Sequence, residues 1–272
     1  MKLFESDVNA TDTKLHIYRT NTDKLPLVFA HGMSDNGLCF WPFAEQLASD
    51  YEIILYDSRN HGQSDAAAEM TLIDRAHDLA GLVEALELQK PGLVGHSLGA
   101  VTVALFAGLY PDMPGCIVLE DPPPFRELAS DDDSAKLGMA MWRASAAENK
   151  EKTVEELVEM NREECPTWPE AERIPWAQSK QQFNLNAFDE ERIDAISGNE
   201  IVSQITCPAL IITADLDRHS IYPPQAADEL VARLPNFTHV NIPGAGHNIR
   251  REQPQAYLTA VREFLSTCTA NQ

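Results

Sequence analysis

The sequence predicts an α/β fold: a mostly parallel sheet with helices on both faces and one inserted helical segment. Short β-rich runs alternate with helical patterns along most of the chain, as expected when helices connect parallel strands. Most of the strand-like runs are almost continuously apolar, which is typical of strands covered on both faces. The alternation breaks once, over residues 122–205, where the sequence is charged and helical.

The candidate strands come first. Residues 14–19 alternate between polar and apolar side chains, which predicts an antiparallel strand at the edge of the sheet. The later runs are apolar throughout and predict the covered, parallel part of the sheet. The full set of candidate strands is 14–19, 25–30, 51–56, 92–94, 116–119, 209–213 and 238–242.

Helical patterns lie between these strands, at residues 41–49, 74–88, 97–110, 224–234 and 253–266. In the second, Leu79, Leu82 and Leu86 recur at helical spacing, and Asp74 is the expected N-cap. Residues 122–205 open with three consecutive prolines, and their helical stretches are too polar to be covered on all sides. We therefore predict a core of residues 1–121 and 206–272 and a helical cap of residues 122–205.

The composition of the chain excludes some classes of binding partner. The chain has 272 residues, 44% of them hydrophobic, which suits one globular α/β domain with an insertion. Its formal net charge of −21 would repel nucleic acid and anionic membranes, so neither is an expected partner. We expect a monomer or a homodimer. The sequence contains no zinc-protease, phosphate-loop or dinucleotide-binding motif, so we expect no metal and no cofactor.

The cysteines and the N-terminal residues indicate the cellular compartment of the protein. The five cysteines are widely spaced and include no C-x-x-C pair, which is typical of reduced thiols. The first residues lack the basic stretch and apolar core of a signal peptide, and no apolar run approaches membrane-spanning length. These features predict a cytoplasmic protein.

Ser97 lies in the pentapeptide Gly95-His96-Ser97-Leu98-Gly99, directly between a predicted strand and a predicted helix. A G-x-S-x-G sequence in this context predicts a sharp, strained turn that exposes the serine at its tip, with the helix N-terminus behind it. A side chain at either glycine would clash with the neighbouring strand or helix. A serine hydroxyl needs a base to become a nucleophile. The candidate base is His247, far downstream in Pro243-Gly244-Ala245-Gly246-His247.

At this point the chain resembles the α/β-hydrolase superfamily over nearly its whole length. The resemblance implies the α/β-hydrolase fold, with an eight-stranded, mostly parallel sheet. Besides the serine turn it rests on four segments in order: the His-Gly loop 31–37, the D-x-R-G-H-G-x-S-like turn 57–64 with Asn60 where glycine is usual, the acidic segment 214–217 and the histidine loop 243–247.

The resemblance implies further site residues. The backbone N–H groups of Met33 and Leu98 would form the oxyanion hole. The substrate pocket would be lined by His31, which also holds the oxyanion loop, and by aromatic side chains between core and cap: Trp41, Phe125, Trp142 and Trp176.

The carboxylate that orients His247 has two candidates. Asp217 follows the strand 209–213, where most of the family carries its acid. Asp121 follows the strand 116–119, as in haloalkane dehalogenases and zearalenone-type lactonases. The usual position of the acid in the family favours Asp217, with Asp121 as the alternative. Glu120 and Asp215 would point to the opposite face of the sheet.

The resulting functional hypothesis is a cofactor-independent serine hydrolase of a carboxylic ester or lactone, acting through an acyl-enzyme. The expected partner is a small-molecule ester or lactone with an apolar part. Two alternatives use the same fold. One is a hydrolase of carbon–carbon bonds with the same triad, and the other is a small-molecule receptor that keeps the triad but turns over slowly.

Overall fold

The computed structural model describes residues 2–125, 133–189 and 198–269. Its eight-stranded sheet has the order β1-β2-β4-β3-β5-β6-β7-β8. The β1–β2 and β2–β4 pairs are antiparallel and all others are parallel, which confirms the predicted fold class. The strands are β1 Phe4–Ala10, β2 Thr13–Arg19, β3 Pro26–Ala30, β4 Glu52–Tyr56, β5 Gly92–His96, β6 Cys116–Glu120, β7 Ala209–Thr213 and β8 Phe237–Asn241.

The edge strand differs from the prediction. Residues 14–19 belong to β2, which is largely buried because β1 covers its outer side. Strand β1 was missed: most of its side chains are exposed and only Val8 and Ala10 pack against the core, so its apolar pattern is weak. Charged side chains on an edge strand discourage pairing with a second sheet. The antiparallel direction of residues 14–19 is as predicted, but their place at the edge is wrong.

Helices cover both faces of the sheet. One apolar layer packs α2, α3 and α8 against the sheet, and the other packs α1 and α10 against the opposite face. The helices are α1 Trp41–Ala44, α2 Leu72–Ala85, α3 Leu98–Leu109, α4 Asp133–Lys150, α5 Val154–Glu164, α6 Glu170–Gln182, α7 Gly198–Val202, α8 Pro224–Arg233, α9 Ile249–Glu252 and α10 Pro254–Thr269.

Two helix predictions need correction. The N-cap of α2 is Thr71, which accepts from the backbone N–H of Asp74, while Asp74 accepts in return from the backbone N–H of Thr71. Asp74 is thus the third helical residue of a capping box. The predicted helix 41–49 is only one short α-turn continued by a 3₁₀ turn over Glu45–Leu47.

The segment between β6 and β7 is helical in its described parts, and residues 126–132 and 190–197 of the predicted cap lie outside the described residues. We call residues 133–189 the helical insertion. It contacts the loops at the carboxyl ends of the strands: Gln182 accepts from the Asn36 side chain at 2.8 Å, and the Asn184 N–H donates to the Asn60 carbonyl at 2.9 Å. Helix α7 instead packs against α3. Across the described ranges, none of the helices combines the length and apolarity that crossing a membrane requires.

Candidate active site

The turn between β5 and α3 has the geometry that the G-x-S-x-G sequence predicts. Strand β5 ends at His96 and α3 begins at Leu98, so Ser97 makes the whole connection, with φ 52° and ψ −118°. Backbone strain of this kind persists only where the surroundings enforce it. A Cβ on Gly95 would lie 2.6 Å from the Ala100 Cα, and one on Gly99 would lie 2.0 Å from the Ala30 carbonyl oxygen. Both glycines are therefore required.

Ser97 is partly exposed. Within the described part of the chain, its hydroxyl makes no capping hydrogen bond to α3. The backbone N–H of Ser97 donates to the Glu120 carbonyl at 2.9 Å, which fixes the turn against the end of β6. This leaves the hydroxyl available at the carboxyl edge of the sheet.

His247 pairs with Asp121. The His247 Nδ1 lies 2.7 Å from the Asp121 Oδ2, and Asp121 is completely buried. A carboxylate can only accept, so the Nδ1 of His247 carries the proton in this bond. In the neutral ring, the Nε2 is then the nitrogen with a free lone pair.

Asp121 is held by the loop after β7. Its Oδ1 accepts from the Ser220 hydroxyl at 2.8 Å and from the backbone N–H of Tyr222 at 3.0 Å. The backbone N–H of Ile221 lies within 3.0 Å of Oδ2 and 3.2 Å of Oδ1. Asp121 itself has φ 41°, in the left-handed region that aspartate tolerates better than most residues. The carboxylate is thus aimed at His247 and fully hydrogen-bonded in a buried place.

The structure therefore does not support the preference for Asp217. Asp217 lies in an exposed 3₁₀ turn, Leu216–Arg218, and the described structure contains no hydrogen bond from it to His247. The reason is the path of the chain after β7, which turns outward at these residues and returns to cover Asp121. Asp215 accepts from the backbone N–H of Gly244 at 2.7 Å, so it supports the histidine loop without contacting the His247 ring.

His96, the residue before the serine, joins the nucleophile turn to the histidine loop. Its Nε2 donates to the His247 carbonyl at 2.9 Å, and the two rings lie 4.7 Å apart. Burial and the charge of Arg250 hold the pKa of His96 well below its usual value, so the ring is neutral. Sequence reasoning assigned this position no role, because the middle positions of G-x-S-x-G vary.

The His-Gly loop lies beside Ser97. A Cβ on Gly32 would lie 3.4 Å from the Ser97 Cβ. The Asp35 N–H donates to the Gly32 carbonyl at 3.2 Å, which closes a turn over Gly32–Asp35 with Met33 and Ser34 at its centre. We call this the oxyanion turn. The Met33 side chain packs against Phe183 and other apolar residues of the insertion.

His31 supports this turn and does not line a pocket. It is 2% exposed, its Nδ1 donates to the Gly32 carbonyl at 2.8 Å, and its Nε2 accepts from the Ser58 N–H at 3.0 Å. Burial lowers the pKa of His31 to about 4, in agreement with a neutral ring that both donates and accepts. The expectation that His31 holds the loop is in line with this geometry, and its placement in the substrate pocket is not.

The turn at residues 57–64, which the resemblance predicts, also has the expected shape. Asp57 accepts from the backbone N–H groups of Gly37 and Gln63 at 2.7 and 2.8 Å. Asn60, at the position where glycine is usual, has φ 67°. Asparagine tolerates this left-handed conformation, so the departure from the family sequence does not change the turn.

A buried charge cluster lies under the oxyanion turn. Asp35 is its centre and accepts from Lys180, Arg250 and Arg251. Burial alone would raise the pKa of Asp35, but these cations hold it well below its usual value. The cluster continues through Arg250 to Glu120 at 3.2 Å and through Arg251 to Glu172 at 3.1 Å. Sequence reasoning missed it because its members are scattered along the chain, and of these only Asp35 lies in one of the recognised segments.

A small cavity of about 190 Å³ lies between the insertion and the oxyanion turn. Two of the predicted pocket residues, Trp142 and Trp176, line it. Two others do not: Trp41 packs into one face of the sheet, and Phe125 is buried against Tyr222. The residues that line the cavity are Ser34, Trp142, Ser145, Ala146, Asn149, Trp176, Lys180 and Phe183.

Comparison with known proteins decides the family. The family profile described as "alpha/beta hydrolase fold" matches residues 26–250. This chain belongs to the alpha/beta hydrolase fold family. The α/β hydrolase is 26% identical over 242 residues to Esterase YbfF of Escherichia coli strain K12, a match covering 89% of this chain and 93% of that protein.

Two further similarities concern an enol-lactonase and a solved crystal structure. It is 33% identical over 84 residues to 3-oxoadipate enol-lactonase 1 of Acinetobacter baylyi, a match covering 31% of each chain. The crystal structure of E-2-(acetamidomethylene)succinate hydrolase superposes with a TM-score of 0.78 at 22% identity, covering 97% of this chain and all of the other. That likeness concerns the fold.

Proposed function

We propose that this α/β hydrolase cleaves a carboxylic ester or lactone, with Ser97, His247 and Asp121 as its catalytic triad. The observation that carries the proposal is the 2.7 Å hydrogen bond from the His247 Nδ1 to a completely buried carboxylate, beside a strained serine turn. A base with one nitrogen fixed by a carboxylate has the other free to take a proton from a nucleophile.

The reaction follows from these positions. The Ser97 Oγ attacks the carbonyl carbon while its proton passes to the His247 Nε2, and Asp121 stabilises the resulting imidazolium. The backbone N–H groups of Met33 and Leu98 donate to the oxyanion. His247 then gives the proton to the leaving alkoxide, which departs and leaves the acyl-enzyme. A water molecule, deprotonated by His247, releases the carboxylic acid and restores Ser97.

The substrate we propose is small and partly apolar. The cavity of about 190 Å³ beside the oxyanion turn has indole and phenyl side chains in its wall, and it is smaller than a typical drug-sized ligand pocket of about 300–1,000 Å³. The relatives named as an esterase and an enol-lactonase support esters and lactones as the two substrate classes. The five free thiols suit a reducing compartment such as the cytoplasm.

A panel of short-chain p-nitrophenyl esters and lactones, assayed with the wild type and with Ser97→Ala, tests the proposal. Losing the nucleophile of a triad costs on the order of 10⁴–10⁶ in kcat, so Ser97→Ala is expected to lose nearly all hydrolysis. Its fold is expected to stay intact by circular dichroism, because the hydroxyl contributes no helix cap. A folded Ser97→Ala variant with more than a tenth of wild-type kcat would rule out the serine mechanism.

His247→Ala provides the second part of the test. It is expected to lose about as much kcat as Ser97→Ala, and the double variant is expected to be scarcely worse than either single one, since residues that act as a unit are not additive. Independent, multiplying losses would show that the two side chains do not act together.

A further inference from the structure

The oxyanion turn contains a residue in an unfavourable conformation. In a four-residue turn closed by the Asp35 N–H and the Gly32 carbonyl, Ser34 is the second central residue, and its φ is 65°. Turns with a positive φ at this position normally carry glycine or asparagine there. Serine adopts the conformation only where the surroundings hold it.

The side chain of Lys180, in the helical insertion, fixes Ser34 in this conformation. The Lys180 Nζ lies 2.9 Å from the Ser34 carbonyl oxygen, 3.0 Å from the Ser34 Oγ and 3.2 Å from the Asp35 Oδ1. An ammonium group has three N–H donors, so these contacts use all of them. Although the Lys180 side chain borders the cavity, its charge is committed to the turn and is not available to a substrate.

The lysine is itself fixed in place. Its side chain is only 10% exposed, and the Nζ lies 5.0 Å from the centre of the Trp176 ring. Asp35 still has Arg250 and Arg251 on its other oxygen, at 3.3 and 2.9 Å. Removing the Lys180 charge would therefore leave the carboxylate paired, while the Ser34 carbonyl would lose its cation.

The geometry points to Lys180 as a positioning residue that holds the oxyanion turn in the shape that aims the Met33 N–H at the developing oxyanion. The inference rests on the proposed serine mechanism. Oxyanion donors stabilise a transition state only when they are fixed before the charge develops. The insertion would thereby act on the chemical step itself, through the backbone of the turn.

Lys180→Met tests this, because it keeps an unbranched apolar side chain and removes all three donors. Removing one oxyanion donor costs about 10²–10³ in kcat, and a donor that is misplaced but present should cost less. We therefore expect kcat for p-nitrophenyl acetate to fall by about 10- to 100-fold. KM should change by less than about threefold, because the three donors of Lys180 are used by the turn and methionine keeps the apolar stem that borders the cavity. If Lys180→Met does not fold, Lys180→Arg replaces it: the charge stays against Asp35 but the three-way contact is lost, and kcat should fall by about tenfold.

Glu172→Gln is the matched control. Glu172 lies on the same helix and its exchange disrupts the same buried cluster at Arg251, but among the described residues its carboxylate has no hydrogen bond to the oxyanion turn. We expect a lower unfolding temperature and a kcat within about threefold of the wild type. Equal kcat losses in Glu172→Gln and Lys180→Met would show a general effect of cluster damage and would overturn the inference.

A rescue experiment separates positioning from stability. Glycine adopts a positive φ without strain, so Ser34→Gly added to Lys180→Met should recover at least about threefold of the lost kcat. No recovery, or a folded Lys180→Met with wild-type kcat, would refute the role of Lys180. The Ser97→Ala variant distinguishes the two proposals: if it stays active, the serine mechanism fails and takes this inference with it. If it is inactive while Lys180→Met is unchanged, the inference alone fails.

Discussion

Replacing Asp121 by asparagine gives the most informative test of the triad. Asparagine keeps the shape of the side chain and tolerates the φ of 41° at this position. It exchanges one acceptor oxygen for an NH₂ donor, however, and every neighbour of the carboxylate is a donor: the Ser220 hydroxyl, the Ile221 and Tyr222 N–H groups, and the His247 Nδ1.

The size of the loss in kcat depends on which neighbours the NH₂ group of the asparagine faces. Facing Ser220 and the backbone, it would oppose an N–H donor in a completely buried place, which costs about 1–3 kcal/mol. Facing His247, it would force the ring into the tautomer that carries its proton on Nε2. That nitrogen could then no longer accept the Ser97 proton. An asparagine in this role lowers kcat by about 10⁴ in a comparable triad, so we expect a loss of about 10³–10⁴ for Asp121→Asn.

The assay is steady-state hydrolysis of p-nitrophenyl acetate, with circular dichroism as the check on folding. Asp217→Asn is the matched control, since it makes the same chemical change at an exposed carboxylate after the neighbouring strand. Its kcat is expected to stay within about threefold of the wild type, as for other exposed substitutions away from the site. A folded Asp121→Asn with more than a tenth of wild-type kcat, or a large loss in Asp217→Asn, would refute the assignment.

Three further outcomes are expected. Desolvation holds the pKa values of three buried histidines below the usual value, so these rings are neutral in the folded protein. Their full contribution to stability is present above about pH 6.5, and the free energy of unfolding decreases as the pH falls below 6.5. At about 1.4 kcal/mol per histidine for each pH unit below 6.5, urea unfolding at pH 5.5 should show roughly 4 kcal/mol less stability than at pH 7.5, and a flat profile would contradict the lowered pKa values of His31, His61 and His96. Gly99→Ala should lower the free energy of unfolding by about 1–3 kcal/mol, because its Cβ would lie 2.0 Å from the Ala30 carbonyl oxygen. Gly138→Ala has open space around its Cβ and should raise the free energy of unfolding by about 0.5–1 kcal/mol. Similar effects of the two substitutions in urea unfolding would disprove the steric argument. Trp142→Ala should raise the ratio of kcat/KM for octanoate over acetate esters by at least about threefold, as it removes a half-exposed wall of the small cavity, and an unchanged ratio would show that acyl chains bind elsewhere.

The fold and two members of the candidate triad were accessible from sequence because their signals are local. The serine turn places its glycines, its serine and its flanking elements within a few residues. The histidine loop is likewise one contiguous segment. The apolar runs predict the parallel strands, whereas β1 was missed because only two of its residues, Val8 and Ala10, pack against the core.

The orienting acid could not be chosen from sequence. Asp121 and Asp217 both follow parallel strands, so both lie near the same edge of the sheet. What separates them is the direction of one side chain and the path of one loop. The left-handed Asp121 turns its carboxylate inward, and the loop after β7 carries Asp217 outward while bringing Ser220 back.

The charge cluster under the oxyanion turn lay outside the reach of sequence for a different reason. Its members are brought together from the His-Gly loop, α6, the end of β6 and α9, and an isolated Lys180 or Glu172 reads as one more charged residue on a polar helix. Only burial reveals them: Glu172 is 2% exposed and Arg250 is 1% exposed. Charges so deeply placed are tolerated only when paired.

Glu172 and Lys180 of α6 restrict how the helical insertion could be exchanged in a chimera. A foreign insertion joined at the same ends but lacking Lys180 and Glu172 would leave Arg251 of the core without its glutamate partner and the Ser34 carbonyl without its cation. Arg251 would keep Asp35 as a carboxylate partner. Removing one partner from a buried ion-pair network is nevertheless destabilising, by up to about 3–5 kcal/mol, a large part of the stability of most domains. Graft design on this scaffold should therefore treat α6 as part of the recipient and confine sequence exchange to helices α4 and α5.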